Sequence, residues 1–326
     1  MRTSTFGLLG RRARAAATLA GALSLAGAVL APRTAAPQSA GPRAAAGRSG
    51  LETFHVQGNV HVIVGAGGNV AVQAGPDGVL VVDTGAAAAR DELLAAIRRI
   101  STGPIRWIIN THGHPDHTGG NETISQAGRT VNGNPSAIIA HENVLARMTR
   151  SGRPVTERPL NSFFEENRDF YFNGEAVFIH HVPGAHTDGD SLVYFRGSDV
   201  LVAGDIFLTT TYPVIDLEGG GGVEGLVTGL NKMLDITVPR YLQDGGTYVI
   251  PGHGRVSDEA DVVEYRDMMV FIRDRVRDLV AKGRTLEQVK AAQPSLDYDP
   301  RYGAGTGPWT TAMFIEAVYR DLSGKK

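Results

Sequence analysis

The sequence contains no cysteine, so disulfides and thiolate metal ligands are both excluded. An exported protein that needs no disulfide is compatible with this absence. Acidic residues are also missing from the first fifty positions, which contain seven arginines. From Leu51 onward, 25 basic residues face 34 acidic ones, a clearly acidic balance that the net charge of −2 for the whole chain conceals. Such a balance gives no support to nucleic-acid binding, and we predict no nucleic-acid partner.

The first fifty residues predict export. Residues 1–36 have a basic start, an Ala/Leu-rich segment from Ala15 to Ala31 and small residues suited to cleavage, which together are typical of a signal peptide. The apolar segment is marginal for a membrane anchor, which is the alternative. Arg11-Arg12 fits the twin-arginine route and also fits an ordinary basic start. Residues 37–50, rich in Ala, Pro and Gly, predict a disordered linker. The mature protein is therefore expected in the periplasm or medium, without stable membrane association.

The densest cluster of chemically capable residues is the stretch Thr111 to Gly120. It contains three imidazoles and a carboxylate within six positions: His112, His114, Asp116 and His117. The apolar, β-branched run Ile105–Ile109 precedes it and predicts a buried strand. The following Gly, Pro and Thr residues predict a loop, and Asn121 is expected to be the N-cap of a helix through Gln126. Imidazole and carboxylate ligands in this density indicate a zinc site.

Three later segments have the same construction. In each segment an apolar strand is followed by a small residue or a turn, and then by a potential metal ligand. The ligands are His186 after Val177–Val182, Asp205 after the run from Val200, and His253 after the run from Tyr248. Strand ends that converge on one edge of a sheet are where rigid folds place chemistry.

The order His112-x-His114-x-Asp116-His117, then His186, Asp205 and His253, resembles the metallo-β-lactamase superfamily of dinuclear metal hydrolases. The resemblance extends from about Phe54 to His253. It implies that a first metal is held by His112, His114 and His186. It implies that a second is held by Asp116, His117 and His253, with Asp205 bridging both. The bridging Asp is similar to that of glyoxalase II, whereas many lactamases of the superfamily have a Cys that this chain lacks.

The resemblance also implies the cofactor and the architecture. We expect two Zn²⁺ per chain, with iron or manganese as alternatives, and an αββα four-layer sandwich of class α/β with extra C-terminal helices. Residues 51–256 are expected to form the catalytic domain and residues 257–326 a helical extension packed on it. Asp83 resembles the superfamily's strand-end Asp that supports a ligand histidine, although a turn-forming role is the alternative.

Other features of the sequence predict local structure. The spacing of apolar residues predicts a helix over 86–100 and a second helix that is capped by Ser257 and extends to about Lys282. Thr285 begins a capping box. The connections 150–167 and 206–222 are either substrate-bordering loops or plain linkers.

The expected centre carries a charge of about +1, with a hydroxide included and histidines neutral. We therefore predict a hydrolase in which a metal-bridging hydroxide attacks a carbonyl (thioester, lactone, lactam or amide) of a small anionic substrate. Asp116 is the predicted catalytic residue, because it could orient the hydroxide and pass a proton to the leaving group. The alternatives are β-lactamase activity proper, a mono-iron persulfide dioxygenase using His112, His186 and Asp205, and a metal-binding component without turnover. The oligomeric state is left open.

Overall fold

The computed structural model describes residues 50–324. The predicted signal peptide, and the predicted linker up to residue 49, lie outside the described residues. Among residues 50–324 no helix combines the length and the apolar character needed to cross a membrane.

Two mixed β-sheets form the centre of the molecule. The first contains, in sequence order, β1 to β6: Glu52–Gln57, Val60–Val64, Val70–Gly75, Gly78–Val82, Ile105–Ile109 and Ala137–Ile139. The second has the order β11-β10-β9-β8-β7. Its strands, β7 to β11, are Asn167–Phe172, Glu175–Val182, Asp190–Phe195, Val200–Leu208 and Tyr248–His253. In both sheets the antiparallel strands give way to parallel pairing at one side: β4-β5-β6 in the first and β10-β11 in the second.

Nine α-helices are present in the described part of the chain. In order, α1 to α9 are Arg90–Ile100, Pro115–Thr118, Asn121–Ala127, Glu142–Arg150, Val223–Ile236, Glu259–Ala281, Leu286–Ala291, Asp299–Tyr302 and Thr311–Ser323.

Most of the buried apolar residues belong to three clusters, one between the sheets and one on the outer face of each sheet. One cluster, including Val62, Val82 and Val193, lies between the two sheets. A second packs α1 and α3 on the outer face of the first sheet, and a third packs α5, α6 and α9 on that of the second. The αββα four-layer sandwich is therefore confirmed. The extra C-terminal helices are confirmed too, since Val262, Tyr265 and Phe314 are fully buried in the third cluster.

Several local predictions are wrong by a residue or by element type. Gly120, not Asn121, is the N-cap of α3; Asn121 is buried, and its amide bonds Asn110 and Thr84 instead. Asp258, not Ser257, caps α6 by accepting from the Asp261 amide. The expected metal loop contains a helical turn, α2, because Pro115 at its first position has a φ suited to a helix start.

Two strands also differ from expectation. Asp205 does not end its strand, since β10 continues to Leu208. Strand β7 was not predicted, because its sequence begins with Asn167, Arg168 and Asp169 and continues with three successive aromatic residues, which is not the apolar alternation that marks a strand. By contrast, the capping box of Thr285 with Gln288 is present.

Candidate metal centre

The site lies where the ends of both sheets meet. Backbone hydrogen bonds join them there: the Ser191 amide donates to the Thr111 carbonyl, and the Asn69 amide to that of Gly252. Since β5, β10 and β11 end at or near this junction, residues distant in sequence come together.

The seven predicted ligands converge into three overlapping groups of side chains. In each group the potential ligand atoms all lie within 4.8 Å of one another. The groups are His112, His114 and His186; His112, His117 and Asp205; and Asp116, His117 and His253. The first and third contain the two sets of three that the family resemblance assigned to separate metals, and the middle one contains the predicted bridging residue. The structure thus brings all seven together; their role as ligands stays a prediction.

Hydrogen bonds at Nδ1 fix how three of the histidines face the centre. Nδ1 of His186 lies 2.7 Å from the Val214 carbonyl oxygen, and Nδ1 of His117 lies 2.8 Å from Oδ2 of Asp83. Nδ1 of His112 lies 3.1 Å from the Thr111 hydroxyl. Since a carbonyl or carboxylate oxygen can only accept, Nδ1 of His186 and of His117 donates, and Nε2 of each is left for the centre.

His114 has the opposite orientation. Its Nε2 lies 3.2 Å from Oδ2 of Asp216, and its Nδ1 lies 2.8 Å from Nε2 of His186. The Asp216 carboxylate accepts from Nε2, so Nδ1 is the nitrogen presented to the centre. Carboxylate–histidine pairs of this kind hold metal-ligating imidazoles in one tautomer and orientation.

The Asp205 carboxylate spans the two groups. Oδ1 lies 3.2 Å from Nε2 of His117 and 3.6 Å from Nε2 of His253, whereas Oδ2 lies 3.8 Å from Nε2 of His186. Each oxygen thus faces a different set of imidazoles, which is the arrangement that a bridging carboxylate needs.

The donor set fits divalent metal ions. Nε2 of His112 is buried and has no hydrogen-bond partner among the described residues, a costly state that metal coordination would relieve. Nε2 of His117 and Nε2 of His253 are 3.3 Å apart, close to the spacing of about 3.3 Å between two nitrogens on one tetrahedral zinc. Imidazole and carboxylate suit zinc, and iron or manganese share part of this preference.

The electrostatics favour the ligating protonation states for some of these groups. Burial lowers the pKa of His112 well below its usual value, and the neighbouring His117 and His186 add to this. The hydrogen bond from His253 lowers the pKa of Asp116 despite partial burial. At His117, burial opposes the charged form, but the carboxylates of Asp205 and Asp83 outweigh it and raise the pKa well above its ordinary value. Metal binding must therefore displace a proton from His117.

Two glycines permit the close packing beneath the ligands. A Cβ on Gly68 would lie 2.4 Å from the His117 ring, and one on Gly252 would lie 1.9 Å from Oδ1 of Asp205. Any larger residue at either position would displace the adjoining side chain.

Asp83 has the supporting contact that the resemblance implied. It is 1% exposed, has a φ of 63° and accepts from the Thr111 amide, the Thr111 hydroxyl and His117. Sequence reasoning missed Asp216 and the Val214 carbonyl. They accept hydrogen bonds from the imidazoles of His114 and His186, as Asp83 does from His117. Asp216 and Val214 lie in the 206–222 connection, for which a substrate-bordering loop and a plain linker were the alternatives. This segment is hydrogen-bonded to the His186 turn: the Asp216 amide donates to the His186 carbonyl and the Gly222 amide to that of Ala185.

The remaining histidines lie outside these groups. Among the described residues, the metal-binding groups include none of His55, His61, His141, His180 and His181. His141 and His181 instead stack on each other with ring centroids 3.5 Å apart.

Comparison with known proteins shows several similarities. The sequence model of the metallo-beta-lactamase superfamily matches residues 63–253. A linear primary-alkylsulfatase from Pseudomonas sp. (strain ATCC 19151) is 24% identical over 298 residues, which cover 76% of this chain and 54% of that protein. The chain therefore spans about half the length of this curated relative.

Solved structures share the fold. The sec-alkylsulfatase Pisa1 from Pseudomonas sp. aligns with a TM-score of 0.63 and 16% identity, covering 85% of this chain and 51% of that one. A metallo-beta-lactamase from Pontibacter korlensis aligns with a TM-score of 0.54 and 16% identity, covering 68% of this chain and 99% of that one.

Proposed function

The chain belongs to the metallo-beta-lactamase superfamily, and from that premise we propose that it is a zinc-dependent hydrolase of a small anionic substrate, with two metal ions per chain. The observation that carries this proposal is the pairing of two three-residue groups through Asp205. His112, His114 and His186 would hold one ion, and Asp116, His117 and His253 the other. The mono-iron alternative would need only His112, His186 and Asp205.

The chemistry combines what the ions supply with what the side chains add. Divalent ions at such a centre supply a hydroxide nucleophile near neutral pH and polarise the bond under attack. Asp116 is the residue placed to move a proton. Its side chain is 41% exposed, whereas that of Asp205 is 8% exposed. As a carboxylate, Asp116 can accept a proton from the attacking hydroxide and pass it to the leaving group.

We propose a carbonyl compound as the substrate: a thioester, lactone, lactam or amide. Attack on a carbonyl develops an oxyanion, which a centre of about +1 stabilises. The same charge would attract an anionic substrate to a protein that is otherwise acidic.

Sulfate-ester hydrolysis is the second candidate, and one observation favours it. The sequence match to the linear primary-alkylsulfatase covers 76% of this chain, and the structural alignment with the sec-alkylsulfatase covers 85%, whereas the lactamase alignment covers 68%.

Metal analysis and a substrate screen test the proposal together. The mature protein is assayed for metals and for hydrolysis of nitrocefin, thioesters, lactones and alkyl sulfates. We expect two zinc ions per chain with turnover, and loss of both metal and turnover in His112→Ala. His180→Ala, on the strand that leads to His186 but outside the metal groups, is the matched control and should keep both.

Other results would contradict the proposal. Full activity in His112→Ala would refute it. One iron per chain with oxygen consumption would indicate a dioxygenase, and bound metal without any turnover would indicate a binding component. We further propose that the mature protein is exported, on the strength of the leader; an intact leader on cytoplasmic protein would contradict this.

A further inference from the structure

A cleft of about 510 Å³ opens beside the metal centre. Its lining includes His114, Thr187 and Asp216. Arg147, Arg150 and Arg153, from the end of α4 and the segment after it, also line it. We propose that this cleft binds an anionic oxygen group of the substrate (a carboxylate or a sulfate), with Arg150 as the specificity-determining residue. This proposal rests on the hydrolase function proposed above.

Two of the three arginines are already held by the protein. Arg147 forms a two-point ion pair with Asp188, at 2.7 Å from each of its oxygens, and also donates to the Gly219 carbonyl. Arg153 pairs with Glu157 at 2.5 Å. These contacts fix both guanidinium groups at the cleft wall.

Arg150 is different, because its guanidinium has no hydrogen-bond or ion-pair partner anywhere in residues 50–324. It lies in the last turn of α4 and is exposed. A cation at a helix C-terminus stabilises the helix, which would explain its charge but not its place in the cleft. With its five donors uncommitted, it can form a two-point contact with a planar carboxylate or with a sulfate.

The charges of the cleft leave one cation for a ligand. Arg147 and Arg153 are neutralised by Asp188 and Glu157. Asp216, the carboxylate in the lining, is paired with His114. Arg150 is therefore the cation of the lining that can neutralise a bound anion.

The position of the cleft suits a substrate that spans both features. His114 is at once a member of the first metal group and part of the cleft wall. A bond held at the metal centre can therefore belong to a molecule whose anionic group extends toward Arg150.

The first test is equilibrium binding, which does not require turnover. Inorganic sulfate and acetate are titrated by calorimetry into wild type, Arg150→Gln and Arg150→Glu, each with and without added zinc. We expect Arg150→Gln to weaken anion binding about tenfold, since one charge-assisted contact is lost, and Arg150→Glu to weaken it further. Preference for sulfate or for acetate indicates which anionic group the cleft accepts.

Arg99→Gln is the matched control. Arg99 is likewise an exposed arginine in the last turn of a helix, α1, but α1 packs on the outer face of the first sheet and Arg99 does not line the cleft. The Arg99→Gln variant should bind sulfate and acetate as tightly as wild type does. Equal binding by wild type and Arg150→Gln, or no anion binding by wild type in either metal state, would overturn the proposal.

The second test uses any substrate found in the screen. Arg150→Gln should raise KM for an anionic substrate about tenfold and leave kcat within twofold, because Arg150 does not touch the reacting atoms. A neutral analogue should show no change in KM. If no substrate is turned over but anion binding still depends on Arg150, the hydrolase proposal fails while the subsite stands.

Discussion

Replacing Asp83 by Asn tests whether the hydrogen bonds that support the predicted ligands determine the metal affinity of the centre. The side chain is nearly isosteric, and Asn tolerates the left-handed backbone at φ 63°, so backbone strain does not confuse the result. The carboxylate accepts from the Thr111 amide, the Thr111 hydroxyl and His117. An Asn amide cannot accept all three, because its nitrogen only donates. One buried donor is left unpaired, or His117 loses the tautomer that presents Nε2.

The size of the effect follows from these contacts. Loss of a partner that orients a ligating histidine weakens metal binding about 10–100-fold, or roughly 1.4–2.8 kcal/mol. Leaving one buried donor unpaired also lowers the free energy of unfolding of the metal-free protein by about 1–3 kcal/mol.

Two assays separate these effects. Competition against a chromophoric chelator measures zinc affinity, and urea unfolding of metal-free protein measures stability. Asp199→Asn is the matched control: Asp199 is also buried, has a φ of 51° and accepts from Tyr194, Thr247 and Gln243. It should lose stability without losing zinc affinity. Unchanged zinc affinity in Asp83→Asn would refute the reasoning, as would equal losses of zinc affinity in both variants.

Four further predictions follow from single contacts. Asp216→Asn should lower zinc affinity about tenfold through His114 in the same competition assay, with the fold retained by circular dichroism; wild-type affinity would count against it. Chelation should abolish activity and lower Tm, and zinc at 1,000 times its Kd should restore about 4 kcal/mol of stability; an unchanged Tm in calorimetry would contradict this. Burial lowers the pKa of His141 to about 4, so the unfolded chain binds its proton first as pH falls below 6.5. His141 should therefore contribute a loss of about 2 kcal/mol of stability between pH 7 and pH 5. In His141→Asn, which keeps an N-cap acceptor, the drop measured by urea titrations at the two pH values should be smaller by that amount. Thr285→Ala should lose about 1 kcal/mol of stability by removing the capping box of α7, without any change in zinc affinity.

The sequence predicted most of the centre because its ligands occupy short, locally encoded patterns. His112, His114, Asp116 and His117 lie within six positions, and the other three follow apolar strands that are easily recognised. The αββα architecture could likewise be expected from the family pattern. Errors arose where a choice depended on tertiary contacts: Asn121 is drawn into a buried network with Thr84 and Asn110, which leaves Gly120 to cap α3.

Asp216 could not be found in this way, and the reason is physical. A ligand pattern constrains the residues that contact the metal, but a supporting carboxylate needs only to reach the far nitrogen of an imidazole. Any Asp in any of several loops could meet that requirement for His114, and 102 positions separate the two residues. Arg150 is a similar case: the sequence shows an arginine in a polar connection, and only the fold places it beside the centre. Ligand identity is thus local information, whereas ligand orientation and substrate selection depend on how the His186 turn, α4 and the 214–222 segment pack together.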